Sequence, residues 1–520
     1  MRVPLDLWCH MLSNLCCSKG SCYSNARNFS VSLTDTKREE FMSKAKLESE
    51  QLRPKMPYSG RFLPLLFSWR TLVFWAALSV VGPSTGAEPA PEEETTTPLS
   101  DWLSGDGITG NWGGFRPKLT DRGVEFVGSY DAEVWGNTKG GLETGTVFTG
   151  LLDFGLKLDL EKAFGWPGAS LNTTWLLLSG KNASEALVGN FLTISNNAGF
   201  NTLRNYELWF QQNLLDNKIS IRLGQLAADT EFFISDYAAT FLNGTFGWPA
   251  SMYINLPKGG PGFPVGTLGM RLAVQPMSWF RLQSAVFQGN VYAQNVNAHG
   301  FRWRLDSQNG FFFLNEAQFH WNQKPDEGGL PGQFKAGAWF HTAKFAEANG
   351  SGFVRGNCGC YFILDQMLYR NPIKAAEKST IADKDDKSAL SKTDGKEVTE
   401  KKSDQGLGWF CRIAFEPQDR NFLGFYFDTG LTYKGLIPNR DGDTLGVAFA
   451  YAPLSSGAQQ AEIEEGSVGV SAEMALEVTY QAQITKWLSI QPDLQVIINP
   501  GGNQDLGNAL VVGGRFSITF

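Results

Sequence analysis

The sequence predicts an all-β protein whose strands form a transmembrane, antiparallel, up-and-down β-barrel. Three observations lead to this prediction. Apolar and polar residues alternate along most of residues 100–520, an export signal precedes this region with no transmembrane helix after it, and the last predicted strand ends on Phe520. The composition agrees, since 13% aromatic residues and 57 glycines among 520 residues are typical of many strands joined by turns.

Residues 56–87 have the three parts of a secretory signal peptide. Arg61 and Arg70 form a basic flank, the stretch 72–81 is nearly continuously apolar, and small residues lead to a predicted cleavage site after Ala87. An apolar stretch this short cannot cross a hydrocarbon core that needs about 20 helical residues. A buried helix or a membrane anchor is the alternative interpretation, and it fits the three parts less well.

The segments on either side of the signal peptide lie outside the predicted fold. Met56 stands just before the basic flank, so residues 1–55, which have no periodic apolar pattern, are interpreted as a non-native extension from an upstream start codon. Residues 88–99 are acidic and rich in proline, a composition that favours a solvated leader. The folded region is therefore predicted to comprise residues 100–520.

Alternation of apolar and polar residues predicts the individual strands. In residues 152–160 every even position is apolar, whereas Asp153, Lys157 and Asp159 occupy the opposite face. The same alternation recurs in 124–135, 204–212, 218–223, 268–275, 279–288, 311–321, 334–345, 361–368, 406–415, 422–433, 445–451, 470–481, 487–498 and 510–520.

Alternation alone fits both a soluble sandwich, whose apolar face points inward, and a membrane barrel, whose apolar face meets lipid. The export signal and the absence of a transmembrane helix favour the barrel. The C-terminal alternation from Leu510 to Phe520 also favours it, because it resembles the assembly signal of bacterial outer-membrane barrels. Aromatic residues near segment ends are expected to form girdles at the two membrane interfaces: Trp135, Trp166, Trp175, Trp248, Trp279 and Trp487.

One segment interrupts the strand pattern. Residues 374–404 contain eight Lys and eight Asp or Glu but no aromatic residue. This composition cannot bury enough apolar surface to order itself. We therefore predict a charged, disordered loop insertion between two strands, outside the membrane, and a solvated tether is favoured over a ligand site.

Charge and motifs exclude several functions. A net charge of -7 leaves no basic surface for binding nucleic acid. The histidines after the signal peptide are His299, His320 and His341, and no metal-binding, nucleotide-binding or serine-hydrolase motif is present. Cys358 and Cys360 are too close for a CxxC redox or zinc pair. The sequence therefore predicts no catalytic residues, no metal and no cofactor.

If the apolar faces meet lipid, the polar faces line a lumen. Acidic and basic groups on opposite walls create a transverse field and can hydrogen-bond sugar hydroxyls, while aromatic rings can stack on the apolar side of a pyranose. The alternative is that each of these charges only pairs with another across the lumen. The charged residues on the polar faces are Glu125, Asp131, Glu133, Glu207, Arg222, Arg271, Arg281, Glu473 and Glu477.

Several motifs, in order along residues 100–520, carry a family resemblance. They include Gly105-Asp-Gly-Ile-Thr-Gly-Asn-Trp-Gly-Gly-Phe-Arg116, Arg204-Asn-Tyr-Glu-Leu-Trp209, Arg222-Leu-Gly224, Asp229-Thr-Glu-Phe232, Gly435-Leu-Ile-Pro-Asn-Arg-Asp-Gly-Asp443 and Asn499-Pro-Gly-Gly502. Together they resemble the carbohydrate-selective porins of the OprB type.

This resemblance implies a porin of about 16 strands in the bacterial outer membrane. It implies passive diffusion of carbohydrates, with a preference for glucose-like monosaccharides, through a constriction of charged residues. Gln225 departs from the family pattern, in which we expect a Lys after Leu-Gly, and this puts the solute preference in question. The constriction residues are predicted from their place in or near the central block and on polar strand faces: Glu207, Arg222, Asp229, Glu231 and Arg271.

The predicted partners are carbohydrate solutes, outer-membrane lipid and the barrel-assembly machinery. A homotrimer is compatible with the porin class, although no residue proves it. Three other functions stay open at this stage. They are a general diffusion porin without sugar selectivity, an outer-membrane barrel enzyme that uses His320 or His341, and an exported β-sandwich that binds carbohydrate.

Overall fold

The computed structural model describes residues 102, 105–292, 296–303, 305, 309–323, 328–372 and 405–520. Within these residues, 16 strands form one closed antiparallel sheet. The strands are β1 (Val124–Lys139), β2 (Gly145–Asp159), β3 (Ala169–Gly180), β4 (Thr202–Leu214), β5 (Ile219–Leu226), β6 (Thr267–Met277), β7 (Phe280–Gln288), β8 (Phe311–Trp321), β9 (Gly332–Ala346), β10 (Phe353–Arg370), β11 (Gly406–Phe415), β12 (Phe425–Lys434), β13 (Thr444–Pro453), β14 (Ala472–Thr485), β15 (Leu488–Ile498) and β16 (Ala509–Thr519).

Each strand pairs with its neighbours in sequence, and β1 pairs with β16 to close the barrel. In the closing pair Ser129 lies opposite Thr519, and the amide of Phe520 donates a 2.9 Å hydrogen bond to the carbonyl of Gly128. Closure pairs the backbone groups that an open edge would expose to lipid. The predicted all-β, antiparallel, up-and-down barrel of 16 strands is therefore confirmed.

Short helices lie in the connections, not in the barrel wall. They are α1 (Phe115–Asp121), α2 (Leu160–Phe164), α3 (Gly244–Gly247), α4 (Ala250–Asn255) and α5 (Ser456–Glu465). No helix among the described residues has the length and hydropathy needed to cross a membrane. Single helical turns occur at Trp112–Gly114, Ser184–Val188, Ala228–Thr230, Ala238–Thr240, Pro257–Gly259 and Pro500–Gly502.

The two faces of the sheet have opposite character. On β11, Phe410, Arg412 and Ala414 are buried inside the barrel, while the residues between them are only partly buried on the other face. Large apolar side chains on the outer face are 43 to 48% exposed and would contact lipid; they include Leu223, Met270, Phe340, Leu431, Val447, Ile490 and Val512. An apolar outside is the arrangement of a membrane barrel and the reverse of a soluble sandwich.

The connections differ in length between the two ends of the barrel. The end that carries α1 and Phe520 has short turns such as 215–218, whereas the loops 181–201, 227–266 and 454–471 lie at the other end. In outer-membrane barrels the short turns face the periplasm and the long loops face the outside.

The strands that flank the charged insertion, β10 and β11, are joined at the end with the short turns. The amide of Asn371 donates a 3.0 Å hydrogen bond to the carbonyl of Gln405, so the chain leaves and re-enters the wall at one point. Residues 373–404 themselves lie outside the described residues, as do the predicted extension, signal peptide and leader.

One strand, β3, is not predicted from the sequence. Its alternation is hidden because leucines occupy both faces. Leu177 is 42% exposed on the outer face, whereas Leu176 and Leu178 are buried inside the barrel against Leu151 and Tyr206. Apolar residues on both faces of a transmembrane strand remove the period of two on which the prediction depends.

The predicted aromatic girdle is only partly right. Trp166 and Trp279 are 52% and 51% exposed, beside turns at the periplasmic end. The girdle prediction is wrong for Trp135. This side chain is fully buried in the lumen, and its Nε1 donates a 3.0 Å hydrogen bond to Glu133. The girdle prediction is also wrong for Trp248, because this residue belongs to a loop and its side chain is buried.

Candidate functional site: the barrel constriction

A long loop folds into the barrel and narrows its lumen. Residues 227–266, here called the constriction loop, connect β5 to β6 but contact the opposite wall. The amide of Phe233 donates a 3.0 Å hydrogen bond to Glu316 of β8, and the amide of Leu242 donates a 2.6 Å hydrogen bond to Glu477 of β14. Contacts with strands this far apart on the inner face require the loop to lie inside the barrel.

The loop between β3 and β4, residues 181–201, also turns inward. The Glu473 carboxylate on β14 accepts hydrogen bonds from the amides of Phe191, at 3.0 and 3.1 Å, and Leu192, at 2.6 Å. The Ser195 hydroxyl donates a 2.6 Å hydrogen bond to Glu133 of β1. Carboxylates of the wall thus satisfy loop groups that would otherwise be buried without partners.

Glu231 of the constriction loop contacts two arginines of the wall. Arg271 donates from Nε to Oε2 at 2.6 Å and from Nη2 to Oε1 at 3.0 Å, and Arg222 Nη1 lies 2.7 Å from Oε1. Burial alone would raise the pKa of Glu231, but the Arg271 hydrogen bonds and the Arg222 charge hold that pKa below its usual range. The carboxylate therefore stays ionised between two cations.

The two arginines face each other directly across β5 and β6. Two like charges in such a pair repel, and Glu231 offsets this repulsion by lying between them. The Arg222 guanidinium also lies 3.8 Å from the ring centroid of Trp209, a cation–π contact. Gln211 Oε1 accepts from both arginines, at 3.0 Å from Arg222 and 3.1 Å from Arg271. The result is a fixed array of charged donors and acceptors beside an aromatic face.

The other two predicted site residues hold the ends of the constriction loop. Glu207 of β4 accepts a 3.3 Å hydrogen bond from the amide of Ala227, where the loop begins. Asp229 accepts from the Tyr206 hydroxyl at 2.8 Å and from the amide of Phe263 at 2.7 Å, and burial raises the pKa of Asp229 to about 6. The structure thus brings all five predicted residues to the base of this loop, but only Arg222, Glu231 and Arg271 contact one another.

Two cavities lie on either side of the constriction loop. The inner chamber, of about 470 Å³, reaches the periplasmic turn at Lys218 and is lined by Arg222, Glu231 and Arg271. The outer chamber, of about 480 Å³, is lined by the loops and by four aromatic residues, Tyr206, Trp248, Tyr253 and Phe263. Ile234 lines both chambers, which places their boundary at this part of the loop.

Several residues of the inner chamber are not predicted from the sequence. Gln211, Lys335 and Gln283 line it but are not singled out, although all three fall on polar faces of predicted strands. Lys335 donates a 2.8 Å hydrogen bond from Nζ to the carbonyl of Ile234, so it also holds the loop. Its position opposite the apolar residues of 334–345 is the signal that identifies it as a lumen residue.

Other predicted lumen charges pair within the wall or with loops. Glu133 accepts hydrogen bonds from Arg515 Nε at 2.7 Å and Nη2 at 2.5 Å, and Glu125 lies 3.9 Å from Lys157. Glu473 and Glu477 bind loop amides, as described above. For these residues the alternative interpretation, in which a lumen charge serves only another protein group, describes the observed contacts.

Gln225, which departs from the family pattern, does not line either chamber. It is 1% exposed. Its Nε2 donates to the carbonyls of Asn205, at 2.8 Å, and Tyr206, at 3.0 Å, and its Oε1 accepts from Trp303 Nε1 at 2.6 Å. A neutral amide therefore fills a structural position here, at a distance from the arginine and glutamate contacts.

His341 does not have the surroundings of a catalytic base. It is fully buried, and its Nδ1 accepts a 3.1 Å hydrogen bond from the amide of Ala343 while its Nε2 contacts the carbonyl of Gly289. Both ring nitrogens are occupied by backbone groups.

A closed 16-stranded barrel with an apolar outer face, a charged lumen and a loop folded into that lumen defines an outer-membrane porin. The model of the family described as carbohydrate-selective porin, OprB family, matches residues 147–520. The fold and this family both indicate a channel. The chain belongs to this family, and it is a carbohydrate-selective porin of the outer membrane.

Individual relatives agree with this assignment. Porin B of Pseudomonas aeruginosa is 25% identical over 486 residues, covering 87% of this chain and 98% of that protein. The putative porin QuiX of Acinetobacter baylyi is 22% identical over 437 residues, covering 81% and 93%. The high-pH structure of Pseudomonas putida OprB has the same fold, with a TM-score of 0.65, 23% identity, and coverage of 80% of this chain and 99% of that chain.

Proposed function

We propose that this porin admits glucose-like monosaccharides by passive diffusion and that Arg222, Glu231 and Arg271 contact the solute. The observation that supports this most directly is that the ion-paired array lines the inner chamber, next to the constriction loop that lies between the two chambers. Each chamber has a volume of about 470 to 480 Å³, within the ~300–1,000 Å³ range of small-molecule sites. A sugar passing between them must come within reach of the array.

The contacts support a simple order of events. In the outer chamber, the rings of Trp248 and Phe263 offer apolar surfaces on which a pyranose can stack. In the inner chamber, the guanidinium groups of Arg222 and Arg271 and the carboxylate of Glu231 replace part of the hydration shell of the sugar hydroxyls. The array is already satisfied internally, so binding stays weak enough for release. In this proposal Glu207 and Asp229 act by positioning the loop.

The remaining predicted partners belong to the same proposal. The apolar outer face supports contact with outer-membrane lipid. The C-terminal strand β16, with Phe520 after it, supports delivery by the barrel-assembly machinery. A homotrimer stays a prediction from the porin class, and chemical crosslinking of the purified protein would test it.

The experiment that tests this function is single-channel recording of the purified protein in planar bilayers titrated with glucose and maltose. Stepwise conductance that glucose reduces in a saturable manner would support a sugar-binding pore. Conductance that neither sugar reduces would replace this proposal with a general diffusion porin. A reduction by maltose that is equal to or stronger than that by glucose would contradict the preference for monosaccharides.

A further inference from the structure

The inner chamber has a strong excess of positive charge. Five cationic side chains line it, and the lining contains one carboxylate, that of Glu231. The cations come from β5, β6, β7 and β9 and from the periplasmic turn: Lys218, Arg222, Arg271, Arg281 and Lys335. A neutral sugar does not require such an excess, because Arg222, Glu231 and Arg271 alone supply donors and an acceptor.

Nearby carboxylates do not cancel this charge within the chamber. Glu316 is 1% exposed, and it accepts hydrogen bonds from Gln283, Gln318, Phe233 and Tyr361 at 2.7 to 3.0 Å. Four donors leave it little capacity to contact a solute.

Glu207, whose charge acts on Arg222, and Asp365, whose charge acts on Lys335, are buried and lie outside the chamber lining. Asp236 is a further carboxylate close to these cations. It lies on the constriction loop and accepts a 2.8 Å hydrogen bond from Gln333. Asp236 is exposed and does not belong to the chamber lining. Among the residues that line the chamber itself, the cations outnumber the carboxylates by five to one.

Arg281 is one of the five cations, and the charges of Glu231 and Glu316 act on it. Its Nε is buried and has no hydrogen-bond partner among the described residues, although the side chain lines the chamber. A buried donor without a partner is uncommon in a native protein. An anion that enters the chamber can accept hydrogen bonds from the terminal guanidinium nitrogens of Arg281, a donor geometry that suits a planar carboxylate.

We propose that the inner chamber favours monosaccharides that carry a carboxylate, such as hexuronates and aldonates, over neutral sugars of the same size. This inference rests on the proposed sugar-porin function and specifies its solute class. The aromatic outer chamber accepts the ring of either kind of sugar, and the cationic inner chamber then draws the anionic one toward the periplasmic end.

The test uses the porin as purified from the outer membrane, placed in liposomes and planar bilayers, with glucose and glucuronate as matched probes. We expect glucuronate to permeate faster than glucose, and chloride to be more permeant than potassium in a salt gradient. Glucose permeation with slower glucuronate permeation would overturn the carboxylate preference and leave the proposed function intact. A barrel that conducts salt but passes neither sugar would overturn both.

Variants separate the chamber charge from general effects. Arg281→Gln should lower the glucuronate-to-glucose permeability ratio by about fivefold, as expected for one nearby charge, and Arg281→Lys should retain most of the ratio. Lys218→Gln, in an exposed turn, should also lower the glucuronate-to-glucose permeability ratio, and it tests the proposal even if Arg281→Gln fails to assemble. Lys118→Gln on the exposed helix α1 is the matched control. Equal ratios in all four proteins and the wild type would overturn the proposal.

Discussion

Arg412 and Asp428 form a fully buried ion pair that joins the barrel wall to the constriction loop. They lie opposite each other on β11 and β12, and Arg412 Nη2 is 2.5 Å from Asp428 Oδ2. Nη2 also donates to the carbonyls of Thr245 and Phe246, and Nη1 donates to that of Gly247, each at 2.9 Å. These carbonyls belong to helix α3, whose last carbonyl groups have no partner within the helix. One side chain therefore fixes this part of the loop in the lumen.

Replacing Arg412 with Gln should release the constriction loop. The change leaves the Asp428 carboxylate buried without its cation, which costs ~3–5 kcal/mol when such a pair is broken. We expect a lower thermal unfolding midpoint in detergent, a larger and noisier single-channel conductance, and faster amide hydrogen exchange at 244–247.

The matched control for this change is Arg420→Gln. Arg420 pairs with Asp419 in a surface loop, with side-chain exposures of 21% and 55%, and exposed pairs contribute ~0–1 kcal/mol. Arg420→Gln should leave the conductance unchanged. If Arg412→Gln gives wild-type conductance and exchange rates, the pair does not hold the loop.

Glu231→Gln should disturb the solute contacts more than the barrel. Without the carboxylate, Arg222 and Arg271 remain directly opposite each other with no anion between them, so the two guanidinium groups should separate. We expect glucose affinity, measured as half-maximal reduction of conductance, to fall about tenfold or more, in line with the loss of charged hydrogen bonds worth ~1.5–3 kcal/mol. The preference of the pore for chloride over potassium should increase.

The control is Glu125→Gln, which removes the same charge from a lumen residue near the periplasmic mouth. Glu125 is half exposed and lies 3.9 Å from Lys157, so its loss should change glucose affinity less than twofold, consistent with a solvent-screened pair. Equal effects of the two substitutions would show that Glu231 acts only through the overall lumen charge.

The fold could be predicted because most strands have one face in lipid and one in a polar lumen. That environment imposes a period of two on the sequence, as in 152–160. Strand β3 could not be found in this way because Leu176 and Leu178 pack inside the barrel. The girdle prediction for Trp135 fails for a related reason. The lumen of a barrel with inward-folded loops has its own apolar core, which includes Trp135, Phe241 and Phe410.

The site could be predicted only as a region. Family motifs and polar strand faces select five residues that the structure brings near the base of the constriction loop, and their contact with solute stays a prediction. Whether a lumen carboxylate contacts solute or a loop amide depends on where the loops fold, and no short-range pattern encodes that. Glu231 binds two arginines, whereas Glu477 binds the amides of Leu242 and Asn243.

The Asp229 carboxyl should make the constriction loop sensitive to pH. Burial raises its pKa in the folded protein to about 6, so the carboxyl group binds a proton more tightly in the folded than in the unfolded chain. The stabilisation from this group is fully present below the pKa of the unfolded chain and is lost as the pH rises through about 6. We expect the unfolding midpoint of the wild type, relative to that of Asp229→Asn, to be higher at about pH 5 than at about pH 7.5.

Two comparisons isolate this effect. Asp216→Asn, in an exposed turn between β4 and β5, changes the charge equally and should show the wild-type pH dependence. Hydrogen exchange at the Phe263 amide, which donates to Asp229 at 2.7 Å, reports on the same end of the loop. A midpoint difference between wild type and Asp229→Asn that does not vary with pH would contradict the prediction.

Gly337 makes room for a tyrosine that supports the constriction loop. A Cβ added at Gly337 would lie 2.0 Å from Cζ of Tyr361. The Tyr361 hydroxyl donates a 2.8 Å hydrogen bond to Glu316, and its ring stacks on Phe233 of the loop with centroids 4.0 Å apart. Phe233 itself has a positive φ of 59°, a strained conformation for a bulky residue, which this stacking helps to maintain.

Gly337→Ala should therefore displace the Tyr361 ring and loosen the loop from the wall. We expect destabilisation of ~1–3 kcal/mol, as for overpacking of a tight core, together with weaker reduction of conductance by glucose. Gly328→Ala is the matched control, because no atom of the described residues lies within 4 Å of a Cβ added there. If the clash is the cause, combining Gly337→Ala with Tyr361→Leu should restore the unfolding midpoint at least in part, because the smaller side chain removes the overlap. A double variant less stable than Gly337→Ala alone would show that the glycine is needed for another reason.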